Sequence, residues 1–560
     1  MDIAAVRSRF SSLGSGFAFF DAPGGTQVPD EVGAAISRQL AHASGNIGAP
    51  YATSRRIEAI VEESRARTAR LYGCQPDEVI FGANMTSLNF TLTRTLGRSL
   101  AAGDEVVVTR LDHDGNVAPW LELAHDIGIV VRVADVHDDT TLDLDDVARL
   151  CNDRTRVVAF PWAANSTGTT VDAAAVAAVA HDAGAIAWVD AVQYAPHLPM
   201  DVVACGADVV LCSAYKFCGP HLGLGFARRE LLEGWRPYKA RPAAMEPVGH
   251  RFETGTLPYE LLAALLACFD YLDSIGGIGV VAAWERQLGE RFLAGLAAEE
   301  GVNLYGLASM DGRVPTFLVN FDGVPSAELS VALAERGLGV WSHDNYYALG
   351  LHERIGWGEA LRVGIAHYNT LEEVDLLHET LAELVGTRRA AGEAAHRLRS
   401  GERFPLEGLE GIPLGADGRL AGPTLVYFYP KDGTETCTRQ ALELQRSLPE
   451  LSAAGIAVVG VSTDDAESHR CFAEEQGLAF PLVSDDSQSL AGKVGVLKDY
   501  GEHGVLAARV SFLVDAAGVV AKVFEVDDVV AHPGEVLAAA RSLGLVAAGP
   551  GVQSGAEETS

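Results

Sequence analysis

Ser213-Ala214-Tyr215-Lys216-Phe217-Cys218-Gly219-Pro220 follows a short apolar run, Val209 to Cys212, and places a lysine where a strand should give way to a turn. A lysine in that position is ordinarily a surface residue, so its neighbours along the chain must carry the argument. Val79-Ile80-Phe81, Glu105 to Thr109, Ile129 to Val133, Val157 to Phe160 and Ile186 to Asp190 are apolar, largely β-branched runs that alternate with helical stretches. Such alternation is the pattern of a mainly parallel sheet covered by helices. Between them, Arg56 to Tyr72 puts Ile57, Ile60, Val61 and Leu71 close to one helical face. The expected fold is a large doubly wound α/β domain, and sheets of that kind take ligands at the carboxyl ends of their strands.

The chain is 560 residues long, too long for one core, and its 48% hydrophobic content supports globular folding. Lys+Arg 43 against Asp+Glu 75 gives a net charge of -32. That charge repels nucleic acid and anionic membrane surfaces, so small-molecule chemistry is expected, with no nucleic-acid or membrane partner. Met1 to Arg9 lacks the features of a leader, and no run reaches the length of a membrane span, so a cytoplasmic location is expected. Eight cysteines without CxxC pairs or metal-type spacing imply neither a disulfide framework nor a metal site. Most should be reduced and buried.

Val281 to Leu384 reads as a smaller α/β lobe, with strands at Thr316 to Phe321 and Leu361 to Ile365 and helices at Ala327 to Arg336 and Leu371 to Leu384. The first domain therefore spans 1–385, and 386–402, rich in Arg, Ala and Gly, reads as an exposed linker, helical or flexible. A thioredoxin-sized α/β unit over 403–545 follows. Its strands are Thr424 to Tyr429, Ala457 to Val461, Ser511 to Asp515 and Val519 to Phe524; its helices lie around Ala441 to Ala453, Ala466 to Gln476 and Gly534 to Leu543. The small, polar segment 546–560 is expected to be a disordered tail.

The lysine has the company that pyridoxal phosphate (PLP) needs: an amine for the aldehyde, a carboxylate for the pyridinium nitrogen and donors for the phosphate. Asp190, at the end of a predicted strand, is the pyridinium partner of choice. Met85-Thr86-Ser87 precedes a helix expected to begin near Leu88, where free N–H groups and the helix dipole favour a phosphate. Ser213 can add a hydroxyl.

On these residues, 17–384 resembles a fold-type I, class V aminotransferase of the cysteine desulfurase and selenocysteine lyase branch. Asp112-His113-Asp114-Gly115-Asn116-Val117-Ala118-Pro119-Trp120 is similar to the segment whose histidine stacks on the cofactor ring, which gives that role to His113. The resemblance makes Asn165 the asparagine beside the cofactor, Gln193 the partner of the ring oxygen, and Lys216 the cofactor-binding lysine. Thr256, in Arg251-Phe252-Glu253-Thr254-Gly255-Thr256, becomes the threonine that reaches the phosphate of a neighbouring subunit, implying a homodimer. Arg362, in Leu361-Arg362-Val363-Gly364-Ile365-Ala366-His367-Tyr368-Asn369-Thr370, becomes the clamp on the α-carboxylate of an amino-acid substrate.

Two departures stand out. Tyr215 precedes the lysine where the family often has histidine. In the branch, a loop reading roughly R-T-G-H-H-C presents the thiolate that takes sulfur from the substrate; the matching stretch is Trp341-Ser342-His343-Asp344-Asn345-Tyr346-Tyr347, with Tyr346 in the cysteine's place. No cysteine occurs between Cys268 and Cys437, and Cys218, two residues after Lys216, is the sole thiol near the cofactor by sequence. C–S lysis, epimerisation and transamination all stay open, as does a degenerate scaffold.

Tyr429-Pro430-Lys431-Asp432-Gly433-Thr434-Glu435-Thr436-Cys437-Thr438 contains P-x-x-x-T-x-x-C, with Cys437 expected just before a helix beginning near Gln440. A peroxide-reducing cysteine must be a thiolate, which a helix N-terminus and a cation favour. The segment from about 403 to 545 resembles the peroxiredoxins, especially the bacterioferritin-comigratory type, and Arg509 in Arg509-Val510-Ser511-Phe512-Leu513-Val514-Asp515 takes the role of the thiolate-stabilising arginine. The resemblance implies peroxide as substrate and a thiol reductant such as thioredoxin. Leu442 stands where many relatives carry the resolving cysteine, and Cys471 is the candidate in its stead. The whole reads as a bifunctional protein, a PLP-dependent desulfurase-like or C–S lyase enzyme joined to a thiol peroxidase. The alternatives are an epimerase or aminotransferase with an independent peroxiredoxin.

Overall fold

Apolar runs separated by helices produce a seven-stranded sheet in the first unit, Met1–Gly386. In the computed structural model, residues 1–241, 245–394, 397–406, 420–500, 504–526 and 528–547 are described. The strands are β1 (Val79–Gly82), β2 (Glu105–Thr109), β3 (Val130–Ala134), β4 (Thr155–Pro161), β5 (Ile186–Asp190), β6 (Val209–Ser213) and β7 (Gly223–Ala227), in the spatial order β1-β7-β6-β5-β4-β2-β3. From β6 to β3 every neighbour is parallel. Of these, β2, β5 and β6 are buried on both faces, which is why they read as unbroken apolar runs rather than alternating ones.

β7, Gly-Leu-Gly-Phe-Ala, carries none of the β-branched residues that mark its neighbours, and it lies antiparallel between β1 and β6. Packing explains its composition. A Cβ on Gly223 would meet the backbone of Asn84 at 2.5 Å, so glycine lets the start of helix α1 (Met85–Gly97) lie against the sheet. Helix α2 (Asp114–Ile127) follows β2. Both helices begin at the strands' carboxyl ends.

The smaller lobe holds a four-stranded antiparallel sheet of β8 (Val302–Tyr305), β9 (Thr316–Phe321), β10 (Trp341–His343) and β11 (Ala360–Gly364), ordered β10-β11-β9-β8. The N-terminal segment joins it: Ala18 and Phe19 pair with Leu338 and Gly339, and Asp21 bridges to Gly364.

Of the two forms expected for the 386–402 connection, helical or flexible, its first part is helical, and its last part is ordered by backbone hydrogen bonds. Helix α3 (Leu371–Ala394) runs on past Leu384, because the alanine- and arginine-rich continuation is good helix former. From Leu398 the chain bonds to the second unit's own backbone, with the N–H groups of Leu398, Gly401 and Phe404 donating to the carbonyls of Val494, Val520 and Gly518 at 3.1, 2.8 and 2.9 Å. The second unit, Thr387–Ser560, is a five-stranded sheet of β12 (Thr424–Phe428), β13 (Ala457–Ser462), β14 (Leu482–Ser484), β15 (Val510–Val514) and β16 (Val520–Glu525), ordered β14-β13-β12-β15-β16. Helices α4 (Glu435–Ala453) and α5 (Ala466–Gln476) are the two that bear on chemistry. Of the expected tail, Val546 packs against the core of this unit, and 548–560 lie outside the described residues.

Gly223→Ala should destabilise the first unit by about 1–3 kcal/mol, the range for overpacking a tight contact. The check is its urea midpoint against the parent protein; an unchanged midpoint would show that the α1 start can give way freely.

Candidate active sites

Lys216 lies in the 3-10 turn Ala214–Phe217 directly after β6, where Cys218 takes a left-handed backbone (φ 68°) to end the turn. Its amine faces a cavity of about 740 Å³ at the carboxyl ends of β4, β5 and β6. Thr86, Ser87, His113, Asn165, Asp190, Gln193, Ser213 and Arg362 all line that cavity with it. Thr256 does not; it is exposed and outside the lining.

The amine donates to the carbonyls of Pro23 and Gly24, and Gln193 Nε2 donates to the same Pro23 carbonyl at 3.1 Å. Burial, then the nearby Arg362 charge, bring the Lys216 pKa down to about 7. Asp190 closes β5 and accepts from the Val192 N–H at 2.8 Å; burial pushes its carboxyl up to about 6, against that hydrogen bond and the Lys216 charge. His113 caps α2, accepting from the Gly115 N–H at 2.9 Å, and burial with the charges of Lys216 and Arg362 lowers it to about 4. Its ring is therefore neutral, ready to stack. α2 is tied to α1 through Asn89, whose Nδ2 donates to Asn116 Oδ1 at 3.1 Å, while Asn116 donates to Asp112 at 2.8 Å.

The phosphate cradle differs from expectation by part of a turn. α1 starts at Met85, capped by Asn84 through the Ser87 N–H, so Thr86 and Ser87 are its first turn rather than the loop before it. Asn84 is a standard N-cap, and it outranks the weak helix preference of threonine and serine. Ser213 Oγ accepts from the Met85 N–H at 2.9 Å, leaving its own proton for the cavity.

Arg362, on β11, is buried; its Nη1 donates to the Asn165 carbonyl at 3.3 Å and its Nη2 to Asp21 at 3.2 Å. Tyr346 lies beneath it, with the guanidinium 4.3 Å from the ring centroid. The Tyr346 hydroxyl is engaged by backbone, 2.7 and 2.9 Å from the Trp341 and Ala360 carbonyls. Tyr346 and Tyr347 are both left-handed, at φ 52° and 60°, a rare and costly conformation for tyrosine. Three bonds hold it: Asn165 Nδ2 donates to the Tyr346 carbonyl and the Asp114 N–H to the Tyr347 carbonyl, each at 2.7 Å, and Trp357 Nε1 donates to the Asp344 carbonyl. The loop is pinned, and Tyr347 stacks on His113 at 5.4 Å.

Among the described residues no cysteine lines this cavity. Cys218 is fully buried, and burial pushes its thiol up to about 12. It is a packed residue rather than a nucleophile.

In the second unit Cys437 belongs to the first turn of α4, because Thr434 is the N-cap and Glu435 the first helical residue. Cys437 is buried, with Arg509 Nη2 3.2 Å from its sulfur and Nη1 held by Gln440. Thr434 Oγ1 donates to the Lys431 carbonyl at 3.1 Å, bracing the loop that starts at Pro430. Cys471 is exposed on α5, whereas its neighbour Phe472 packs into the cluster containing Cys437. A Cys437–Cys471 bond therefore requires α5 to turn or unwind.

The sequence profile of the family "Aminotransferase class-V" matches residues 18–377. The chain belongs to that family. The "Probable cysteine desulfurase 2" of Mycobacterium leprae is 33% identical over 67% of this chain and 95% of its own length, and the "Aminotransferase-like protein FGM3" of Gibberella zeae is 31% identical over 67% and 96%. Among solved structures, the cysteine desulfurase of Thermococcus onnurineus superposes with a TM-score of 0.65 at 25% identity, covering 69% of this chain and 98% of that one. The AhpC/TSA family profile matches residues 411–523, so a peroxiredoxin-type domain follows.

The class-V domain is a PLP domain, and its residues fit the cofactor. Buried Asn165 Oδ1 and Arg362 Nε have no hydrogen-bond partner among the described residues, α1 offers its first turn to a phosphate, and Asp190 is a buried carboxylate on the cavity wall. Sequence reasoning did not single out Asp21, Pro23 and Gly24, which come from the N-terminal segment; their position depends on a short pairing to the small lobe that carries no motif. His221 was equally silent, yet it stacks on Tyr215 at 4.8 Å at the cavity wall.

A Lys216 pKa near 7 sets the pH dependence of PLP uptake by the apoprotein, because only the neutral amine attacks the aldehyde. The uptake rate, followed by absorbance, should rise about tenfold per pH unit below 7 and level off above it. A rate still climbing toward pH 9 would indicate an ordinary lysine.

Proposed function

We propose that the first domain cleaves the Cβ–S (or Cβ–Se) bond of a sulfur or selenium amino acid and releases the chalcogen as a free small molecule, and that the second domain is an independent thiol peroxidase. The carrying observation is the loop over the cavity: where a desulfurase needs a mobile thiolate, Tyr346 is buried under Arg362 with its hydroxyl bonded to backbone. A phenol cannot hold a persulfide.

Bound PLP supplies a sink for the electron pair left at Cα. Arg362 holds the substrate carboxylate with its unpartnered Nε and with the Nη2 now shared with Asp21. Lys216, neutral above pH 7, takes the Cα proton. Asp190 would pair with the pyridinium nitrogen, and His113, a neutral ring, would stack on the cofactor. For cysteine the balance is cysteine plus water to pyruvate, ammonia and hydrogen sulfide, with no external reductant. Thr256 is exposed and does not line its own cavity, so in this reading it would serve the phosphate site of a second copy in a homodimer.

In the second domain the Cys437 thiolate attacks the peroxide, giving a sulfenic acid at sulfur and an alcohol or water as leaving group. Arg509 stabilises sulfur and leaving oxygen, Thr434 and Pro430 shape the pocket, and a small thiol or thioredoxin returns the sulfenic acid to thiol.

The test is a product balance from PLP-loaded protein given L-cysteine. Pyruvate, ammonia and sulfide should appear together, at the same rate in Cys437→Ser, and vanish in Lys216→Ala. Racemised or transaminated amino acid without sulfide, or alanine accompanied by protein-bound sulfur, would overturn the reading.

A further inference from the structure

Beneath the Pro430–Thr434 loop lies a buried polar cluster that neither domain's chemistry has used. One Asp432 oxygen accepts from the Tyr429 hydroxyl at 2.8 Å; the other accepts from the Ser468 hydroxyl and His469 Nδ1, each at 2.8 Å. The Asp432 N–H donates to Asp464 Oδ2 at 2.8 Å, and Asp464 also holds the Ser462 hydroxyl at 2.8 Å. Only 5% of the His469 side chain and 6% of the Asp432 side chain are exposed.

The second ring nitrogen of His469 carries the argument. Nε2 lies 3.1 Å from the carbonyl of Val483, on the edge strand β14. Both partners of the ring, a carboxylate and a carbonyl, are acceptors only. A neutral imidazole has one N–H and one lone pair, so one of the two contacts would set lone pair against lone pair. An imidazolium satisfies both.

We propose that His469 is the positioning residue of the peroxidase centre: as a buried imidazolium paired with Asp432, it fixes the Pro430–Thr434 loop from which the peroxide pocket is built. Asp432 sits between Pro430 and Thr434, so whatever holds its carboxylate sets the distance of both from Cys437. His469 itself touches neither peroxide nor sulfur.

The groups facing the ring are Asp432 from the loop, the Val483 carbonyl from β14, Asp464 from the β13–α5 turn, and the Tyr429 ring 6.3 Å away at the end of β12. Burial alone would lower the His469 pKa, but the Asp432 hydrogen bond and charge outweigh it and raise the value above the ordinary one. Burial likewise would raise Asp432, and its hydrogen bonds, first that from His469, bring it below the usual carboxylate range. For a raised histidine the interaction is complete below the unfolded value of about 6.5 and is lost as pH climbs through the folded value. Peroxide reduction per thiolate should therefore fall on the alkaline side.

The experiment is single-turnover oxidation of the reduced full-length protein by hydrogen peroxide from about pH 6 to about pH 9. Rates are normalised to the thiolate fraction from ultraviolet titration, for the parent protein, His469→Gln and Asp432→Asn. The parent should show an alkaline decline. Both variants should be about ten- to a hundredfold slower at neutral pH, as expected for a loop displaced by an ångström or less, and should lack the decline. Variants within twofold of the parent, or with the same decline, overturn the assignment. Should either variant fail to fold, the parent profile decides alone: an alkaline decline is expected, and a normalised rate that stays flat up to the pH at which the protein itself unfolds contradicts a titrating pin.

Discussion

Burial of the Lys216 amine is the constraint around which the first domain is arranged. An ammonium ion cannot attack an aldehyde or accept a proton from Cα, and the protein suppresses it by enclosing the amine, with Arg362 adding repulsion. The same enclosure raises Asp190 and neutralises His113, so one act of desolvation tunes three groups. The sheet supplies the geometry. Lys216 and Asp190 sit at the ends of adjacent parallel strands, β6 and β5, and Asp190 pairs in register with Leu211. Close packing at Gly223 then brings the first turn of α1 to the other side of the cavity.

The loop of Tyr346 and Tyr347 shows how a single residue changes what such a site can do. A sulfur carrier must approach the substrate and then leave; this loop is bonded at Asp344, Tyr346 and Tyr347 in a backbone that tyrosine rarely adopts. The strain is maintained because Tyr346 serves as the platform for Arg362 and Tyr347 covers His113. In the function proposed above, such a loop would serve to hold the α-carboxylate rather than to pass sulfur to protein. In the second domain, by contrast, the reactive thiol is set by a helix start and one arginine, and the strand β15 begins with the residue after that arginine.

Much of this was legible in the chain. Lys216, Asp190 and Gln193 stand at strand ends that β-branched runs announce, and the helix and strand types of both units follow their periodicity. Boundaries were less so. Cys437 reads as lying before its helix because Thr434-Glu435-Thr436 resembles a loop, although a threonine cap followed by an acidic first turn is itself a helix start. β7 stayed hidden because its glycines answer to a neighbour far along the chain; in 386–402 polarity and alanine content point to an exposed helical or flexible connection, but not to where α3 stops or to the backbone pairing that begins at Leu398. The side on which Tyr346 presents its ring is set by a left-handed backbone that no residue type there encodes.

The central claim is that the lysine centre and the thiol centre are chemically separate, with no sulfur nucleophile serving the first. Intact-protein and peptide mass spectrometry after incubation with PLP and L-cysteine tests it most directly. The account predicts sulfide in solution and no added sulfur on Cys218 or Cys437; a stable increment of one sulfur atom on either cysteine, formed only when Lys216 is present, would contradict it.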